Sequence, residues 1–154
     1  MEPQIQYAKT SDGVDIAFAS MGEGPPVVRL GIPGLTHVQR ELEITPGILP
    51  PLTKDFRVIW YDTRATGLSD RDAIDFSMEA MIRDLEAVIE RTGLRSFAVL
   101  AFFNAVPIGV TYAARFPERV LAGKEFLFND RGETELRGFE DPVRVYEVRW
   151  REGD

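Results

Sequence analysis

Hydrophobic and polar residues alternate along the first part of the chain. The alternating segments Ile5–Lys9 and Val14–Ser20 are separated by Thr10-Ser11-Asp12-Gly13, a sequence typical of a tight turn. This pattern predicts two antiparallel strands joined as a hairpin. The later runs Val27–Ile32 and Phe56–Tyr61 are mostly apolar, and such runs are typical of strands buried within a sheet.

A helix with one apolar face is predicted at Met78–Arg91. Its apolar residues recur at helical spacing: Met78, Ile82, Leu85 and Ile89. Ser77 can cap the start of this helix, and Gly93 is a stop signal after it. A further apolar strand at Ser96–Phe102 and a second helix at Ile108–Arg115 follow. Strands that alternate with helices predict a parallel sheet with crossover helices.

Beyond residue 120 the pattern becomes antiparallel. The segments Glu125–Phe128 and Glu133–Leu136 flank Asn129-Asp130-Arg131-Gly132, which predicts a hairpin with its loop at these four residues. Val143–Trp150 predicts a last strand after Pro142. The predicted fold class is therefore α/β: a mostly parallel sheet with an N-terminal hairpin, plus a C-terminal antiparallel hairpin and strand.

Composition and charge narrow the class of protein. The 154 residues suffice for one ordinary hydrophobic core, and 44% hydrophobic with 28% charged residues is typical of a folded domain. The net charge of −7 opposes binding to polyanions, so we expect neither nucleic acid nor membrane as a partner. Without cysteine there is no disulfide or thiolate site, and we expect no metal or cofactor. Because no targeting segment or bilayer-spanning run is visible, we expect a cytoplasmic protein.

The stretch Leu100–Pro107 predicts a strand that turns sharply into a helix. In one large class of enzymes this turn carries a serine nucleophile in the pattern Gly-x-Ser-x-Gly. Here the same frame reads Ala101-Phe102-Phe103-Asn104-Ala105, with Phe103 where the serine would stand. A phenyl ring has no lone pair with which to attack and no proton to give to a base. The sequence therefore predicts no catalytic residue at this turn.

Three sequence motifs lie near this turn, two before it and one after it. They are Ile32–Val38 with the acidic Glu41 and Glu43 after it, Tyr61–Asp70 with the pattern Asp-x-Arg-Ala-x-Gly-x-Ser, and Phe116–Val120, which reads Phe-Pro-Glu-Arg-Val. Together they resemble the α/β-hydrolase family, specifically the hydrolase-like module joined to class III nucleotide cyclase domains. In that family the second motif has a glycine at the position of Ala65. The resemblance spans roughly residues 4–120, which is the first half of the family fold.

The resemblance implies a site at the carboxyl ends of the strands. Family members supply serine, acid and histidine in that chain order, whereas the single histidine here lies upstream of the turn. No triad in family order can be built. The resemblance also implies that two backbone N–H groups of the first loop would form an oxyanion hole. The candidate ligand pocket comprises Gly34, Leu35, His37, Phe103 and Asn104.

Each candidate side chain also has a purely structural interpretation, which we favour. We expect Phe103 to fill the space left by a lost active site rather than to line a pocket. Asn104 is expected to be solvated or capping, and His37 to be a partly exposed loop histidine. We expect Asp62 and Arg64 to form an ion pair that holds their loop, rather than a catalytic pair.

The C-terminal part carries a second resemblance. The segments 120–123, 128–138 and 142–148 are similar to the last segment of class III cyclase domains, without that family's metal-binding aspartates. This implies two parts: residues 1–120 as a truncated α/β-hydrolase-type core, and residues 121–154 as a cyclase-like β appendix. We expect the appendix to pack on the core as one folded unit.

The shortened sheet leaves a strand without a neighbour. In the family the strand before the nucleophile turn is central, so the missing strands would expose Ala98, Val99, Leu100 and Phe102 along an apolar edge. Such an edge is a template for pairing with another chain. Either the segment 125–150 covers it or a second copy does, and we expect a homodimer.

These observations favour a catalytically silent protein that binds a partner or a small-molecule ligand, or that persists as a folded remnant. The alternative is a weak hydrolase that acts on esters or similar small substrates through a rebuilt site near His37 and Asn104. A nucleotide cyclase is a third hypothesis, but it needs carboxylates on two metal ions, and that motif is not found in the sequence.

Overall fold

The computed structural model describes residues 3–121, together with the backbone of residues 127–134 and 143–149. The chain divides into two compact units, Met1–Leu121 and Ala122–Asp154. The larger unit contains a five-stranded sheet with its helices, and the smaller unit contains a two-stranded sheet. In the described part of the chain, no helix has the length and apolar character needed to cross a bilayer.

The larger unit is built on an open mixed sheet. Its strands are β1 (Gln6–Lys9), β2 (Asp15–Met21), β3 (Pro26–Arg29), β4 (Arg57–Tyr61) and β5 (Ala98–Leu100). They lie in the order β1-β2-β4-β3-β5. The pairs β1–β2 and β2–β4 are antiparallel, whereas β3–β4 and β3–β5 are parallel. The predicted N-terminal hairpin and the truncated α/β-hydrolase-type sheet are confirmed.

The helices alternate with the parallel strands. They are α1 (Glu41–Ile44), α2 (Leu49–Leu52), α3 (Met78–Thr92) and α4 (Val106–Arg115). The predicted caps of α3 are present: Ser77 Oγ accepts a hydrogen bond from Ala80 N at 3.2 Å. Gly93 ends the helix with φ of 69°, a left-handed conformation that glycine adopts without a steric penalty. A single 3-10 turn, Phe103–Ala105, leads into α4, which begins before the predicted Ile108.

Each face of the sheet carries its own hydrophobic cluster. Because side chains alternate along a strand, Ile59 and Trp60 of β4 point to opposite faces. On one face Ile59 packs with apolar residues of α3 and α4, among them Leu85 and Ile108. On the other face Trp60 packs with Leu49 of α2. Because β4, β3 and β5 are parallel neighbours, their carboxyl ends lie together at one end of the sheet.

A polar network joins α3 to the turn after α4. Tyr112 is fully buried, and its hydroxyl donates to Glu86 Oε1 at 2.7 Å. Arg119 Nη1 donates both to Glu86 Oε1 and to Tyr112 Oη, at 2.9 and 3.0 Å. The Arg119 guanidinium also lies 5.7 Å from the ring centre of Phe116. The motif Phe-Pro-Glu-Arg-Val therefore locks α4 against α3 through its phenylalanine and arginine.

The smaller unit corrects one prediction. Its strands β6 (Leu127–Thr134) and β7 (Val143–Arg149) pair in antiparallel fashion. The predicted hairpin loop at residues 129–132 is wrong, because β6 continues through it. Asp130 pairs with Tyr146 and Glu133 with Arg144, so β6 carries an extra residue there. The glycine and polar residues at this point accommodate a bulge rather than a turn. Residues 125, 126, 135, 136 and 150 of the predicted elements lie outside the described part.

Candidate functional site

Three loops meet at the carboxyl ends of the parallel strands. They follow β3, β4 and β5, which are neighbours in the sheet. In open α/β sheets this edge is where ligands bind. The first loop contains Gly34, Leu35 and His37, the second runs from Asp62 to Asp70, and the third is the turn at Phe103. The residues predicted as a pocket are therefore distributed over two adjacent loops.

The turn after β5 has the geometry of a nucleophile elbow. Phe102 is extended, with φ of −131° and ψ of 149°, and Phe103 then has φ of 53° before the helical residues begin. A left-handed conformation costs a residue with a side chain about 1–2 kcal/mol. The helix approaches the sheet closely here, because a Cβ on Gly109 would lie 3.2 Å from Leu30 Cδ1. The strained strand–turn–helix is present without a serine.

Phe103 does not fill the core. Its side chain is 79% exposed, so the prediction that it occupies the space of a lost active site is wrong. The left-handed backbone explains this result, because the same turn holds a nucleophile clear of the sheet in enzymes of this type. The fold therefore holds an apolar ring in solvent at the position where a hydroxyl would react.

Asn104 links the third loop to the first. Its side-chain Nδ2 donates to the carbonyl oxygen of Pro33 at 3.4 Å, and the residue is exposed. No side chain caps the 3-10 turn in which Asn104 lies. The contact joins the two loops that carry the candidate pocket residues.

The two N–H groups expected in an oxyanion hole already have partners. Gly34 N donates to Thr66 Oγ1 at 3.1 Å, and Leu35 N donates to Ile32 O at 3.0 Å. The backbone at residue 34 has φ of 79°, a left-handed conformation that glycine adopts without a steric penalty. The Leu35 side chain is 67% exposed. In this geometry neither N–H group is free to stabilise a developing negative charge.

His37 is half-buried at the same edge of the sheet. Its Nδ1 atom is buried and has no hydrogen-bond partner among the described residues, and the same is true of Asp62 Oδ1. Burial raises the pKa of the Asp62 carboxyl, while a hydrogen bond from Leu68 N and the nearby His37 oppose the rise. His37 thus lies near the buried carboxyl group of Asp62.

The predicted ion pair between Asp62 and Arg64 is wrong. Asp62 instead organises its own loop: its Oδ2 accepts from Leu68 N at 2.8 Å, and its carbonyl accepts from Ser69 Oγ at 2.7 Å. Ser69 Oγ in turn accepts from Ala17 N of β2 at 2.9 Å. The hydroxyl of Ser69 therefore joins the loop after β4 to β2, and the carboxylate of Asp62 holds the backbone of the loop itself.

Arg64 pairs with two other carboxylates. Its Nε and Nη2 donate to Asp84 Oδ1 at 2.9 and 2.8 Å, and its Nη1 donates to Asp12 Oδ2 at 2.9 Å. Arg64 is 2% exposed and Asp84 is fully buried. Burial raises the pKa of Asp84 against the opposing effect of Arg64, whereas the hydrogen bond from Arg64 holds the pKa of Asp12 well below its ordinary value. This triad joins the second loop to α3 and to the β1–β2 turn.

Neither Asp84 nor a second buried ion pair, between Arg29 and Glu41, was predicted from the sequence. Arg29 Nη2 and Glu41 Oε1 are 2.6 Å apart, and both side chains are almost fully buried. Burial lowers the pKa of Arg29 and raises that of Glu41, while each charge opposes the shift of the other. The available signal was a charged residue inside an apolar pattern: Arg29 lies in the β3 run, and Asp84 lies on the face that Met81 and Val88 define.

Among the described residues of the site, no hydroxyl stands at the turn that would carry a nucleophile. The turn presents Phe103, the expected oxyanion donors are occupied, and the buried charges of Arg64 and Arg29 are neutralised within the fold. Of the predicted pocket residues, Leu35, Phe103 and Asn104 are exposed and uncharged, whereas Asp70 at the end of the second loop is exposed and charged.

A mixed sheet, a left-handed turn between its last parallel strand and a helix, and the loop with its buried arginine define an α/β-hydrolase architecture. The model of the family described as alpha/beta hydrolase fold matches residues 28–123, and the chain belongs to this family. A curated relative, the cis-3-alkyl-4-alkyloxetan-2-one decarboxylase of Shewanella oneidensis, is 28% identical over 77% of this chain and 37% of its own length.

Solved structures give the same fold. An α/β hydrolase from Sphaerobacter thermophilus matches with a TM-score of 0.62 and 30% identity, over 75% of this chain and 42% of that one. Epoxide hydrolase VrEH1 from Vigna radiata matches with a TM-score of 0.66 and 20% identity, over 79% of this chain and 38% of that one. The chain spans about two fifths of the length of these relatives.

Proposed function

We propose that this chain is a catalytically silent member of the α/β-hydrolase family that acts by binding or self-association. One observation carries the proposal: the residue at the nucleophile turn is Phe103, exposed and held in the left-handed conformation. The elbow geometry is thus present, while the atom that would react is absent. Without a nucleophile and its base, the binding and oxyanion contributions leave only a small part of such catalysis.

The occupied oxyanion donors support the same conclusion. To receive a substrate oxygen, Gly34 N and Leu35 N would first have to release Thr66 Oγ1 and Ile32 O. Each acceptor would keep another donor, Thr63 Oγ1 for Thr66 Oγ1 and Thr36 N for Ile32 O, so each lost hydrogen bond costs about 0.5–1.5 kcal/mol. A rebuilt hydrolase near His37 and Asn104, the alternative, would have to meet this cost and supply another nucleophile.

The C-terminal unit has a separate proposed origin. We propose that residues 121–154 derive from the end of a class III cyclase domain, as the sequence segments resembling that family suggest. A cyclase reaction needs metal-bound carboxylates, and the described residues hold no cluster of three or more acidic or histidine side chains suited to a metal ion. We therefore expect no cyclic nucleotide from ATP or GTP with manganese.

The hydrolase alternative is tested by turnover at high protein concentration. The substrates are a chromogenic short-chain ester, an epoxide and a cis-3,4-dialkyl oxetan-2-one, chosen from the names of the relatives. Wild type is expected to match a buffer blank, and Phe103→Ser is expected to do the same because the expected oxyanion donors are occupied and no triad in family order can be built. Turnover by the wild type that disappears in His37→Ala would overturn the proposal.

A further inference from the structure

Exposed apolar side chains lie along the turn and helix that follow β5. Phe103 is 79% exposed, Val106 42% and Val110 64%. Residues four positions apart share one side of a helix, so Val106 and Val110 lie on one side of α4, and Phe103 is in the turn directly before it. We name Phe103, Val106 and Val110 the apolar face.

The apolar face lies in an uncharged part of an acidic chain. From Ser96 to Ala114 the sequence contains no charged residue, although 28% of the chain is charged and its net charge is −7. The exposed positions that flank the face are also neutral: Asn104, Pro107 and Ala114. A charged partner would gain no ion pair here and would lose hydration. The face complements another neutral, apolar surface.

Among residues 3–121 no further strand covers the edge of the sheet at Val99, and α4 packs against it, because a Cβ on Gly109 would lie 3.3 Å from Val99 Cγ1. Strand β5 is last in the strand order. Phe97 N donates to Arg119 O, and Leu121 N donates to Phe97 O, so the chain covers the start of this edge. Hydrogen-bonding directions alternate along a strand. The N–H and C=O groups of Val99, two residues after Phe97, therefore point to the same side of β5 as those of Phe97. The Val99 groups have no partner among residues 3–121.

We propose that the apolar face and the open edge at Val99 bind a second copy of this chain about a two-fold axis, with Phe103 as the central anchor. A two-fold interface brings each patch onto itself, and an uncharged patch tolerates this. The charged surface elsewhere on a chain of net charge −7 would bring like charges together. The inference rests on the proposed function only in assigning Phe103 no catalytic role.

Two further features favour a second copy. The β5 edges of two copies can pair antiparallel across a two-fold axis, which gives Val99 N–H and C=O partners of the same kind. Phe103 is a large aromatic side chain held in solvent on a strained turn. Buried aromatic residues dominate the binding energy of protein interfaces, so its burial supplies the anchor that a small interface needs.

The first test measures molar mass by light scattering across a dilution series of the wild type, Val110→Glu and Ile74→Glu. Ile74 is the matched control, because it is 91% exposed but lies between β4 and α3. We expect a wild-type dimer, an unchanged Ile74→Glu, and a dimer weakened about tenfold or more in Val110→Glu. Circular dichroism checks that both variants fold. A monomeric wild type, or equal behaviour of the two variants, overturns the inference.

The second test locates the interface. The chain has no cysteine, so Ala114→Cys and Ile74→Cys each carry a single thiol for a spin label. Ala114 lies exposed one turn beyond Val110, at the rim of the apolar face. Pulsed electron resonance is expected to show a shorter label-to-label distance for Ala114→Cys than for Ile74→Cys. The reverse order, or no dipolar signal at Ala114, contradicts the proposed surface.

Failure of this inference and failure of the proposed function give different results. A monomer without turnover excludes the two-fold interface and leaves the silent function intact. A dimer that hydrolyses substrate through His37 supports the two-fold interface and contradicts the silent function. A dimer that dissociates in Ile74→Glu places the contact on another surface and contradicts the role of the apolar face.

Discussion

Replacing Arg64 with methionine removes a buried cation while keeping most of the volume of its side chain. Asp84 is fully buried, and after the change its carboxylate keeps only the hydrogen bond from the backbone N of residue 64, which is 2.9 Å long. Removing one partner of a buried ion pair costs about 3–5 kcal/mol, because the other charge stays buried and uncompensated. That is a large fraction of the about 5–15 kcal/mol that stabilises a typical domain.

The assay is urea unfolding at neutral pH, followed by circular dichroism, with the free energy of unfolding extrapolated to water. Arg64→Met is expected to lose about 3–5 kcal/mol, and Asp12→Asn about 1 kcal/mol, because Asp12 is only partly buried. Arg64→Met combined with Asp84→Asn is expected to recover part of the loss, since the unpaired carboxylate is then neutral.

The pH dependence separates charge from packing. In Arg64→Met the folded pKa of Asp84 lies above its unfolded value, because burial already raises it and the opposing cation is gone. The folded state then holds its proton to higher pH than the unfolded state. The difference in unfolding free energy between Arg64→Met and the double variant should therefore begin to decrease as the pH falls through that raised pKa, and its charge-dependent part should be gone below the ordinary aspartate pKa. A loss below about 1 kcal/mol in Arg64→Met would refute this reasoning. So would a difference in unfolding free energy between the two variants that does not change with pH.

Three further changes probe the loop after β4, each measured by urea unfolding. Ala65→Gly should raise the free energy of unfolding by about 0.5–1 kcal/mol, because Ala65 has φ of 57°; an unchanged value would show that no strain is stored there. Gly67→Ala should cost about 2–4 kcal/mol, since its Cβ would lie 1.9 Å from Asp62 Oδ2; a loss below about 1 kcal/mol contradicts this. Asp62→Asn should gain stability over the wild type as the pH rises above the ordinary aspartate range, because burial raises the pKa of Asp62; a difference that stays constant with pH contradicts this.

Much of the fold follows from local pattern. The hairpin β1–β2 and the helix α3 were predictable because alternation, helical spacing, Ser77 and Gly93 all indicate the same elements. The motif Tyr61–Asp70 indicated a structured loop, but it did not reveal the partners of Arg64. Those partners lie on the β1–β2 turn and on α3, and the approach of separate elements is decided by packing.

Besides the Asp62–Arg64 pair, two predictions were wrong, one at the site and one in the tail, and they have distinct physical reasons. Hydrophobicity alone assigns a phenylalanine to the core, whereas the left-handed backbone at Phe103 holds its ring outside. Asn129–Gly132 has the composition of a turn, yet β7 supplies a partner strand long enough to extend β6 through it, and one extra residue forms a bulge. In both cases tertiary structure overrides a local preference.

The central claim, that this fold has lost its chemistry at Phe103, is tested most directly in a single-turnover experiment. The chain is mixed in excess over a chromogenic ester, and product release is compared with that of His37→Ala and of buffer alone. We predict three identical traces, with no burst and no change in the intact mass of the protein. A faster wild-type trace, or an acyl group attached to the wild-type chain, would contradict the account.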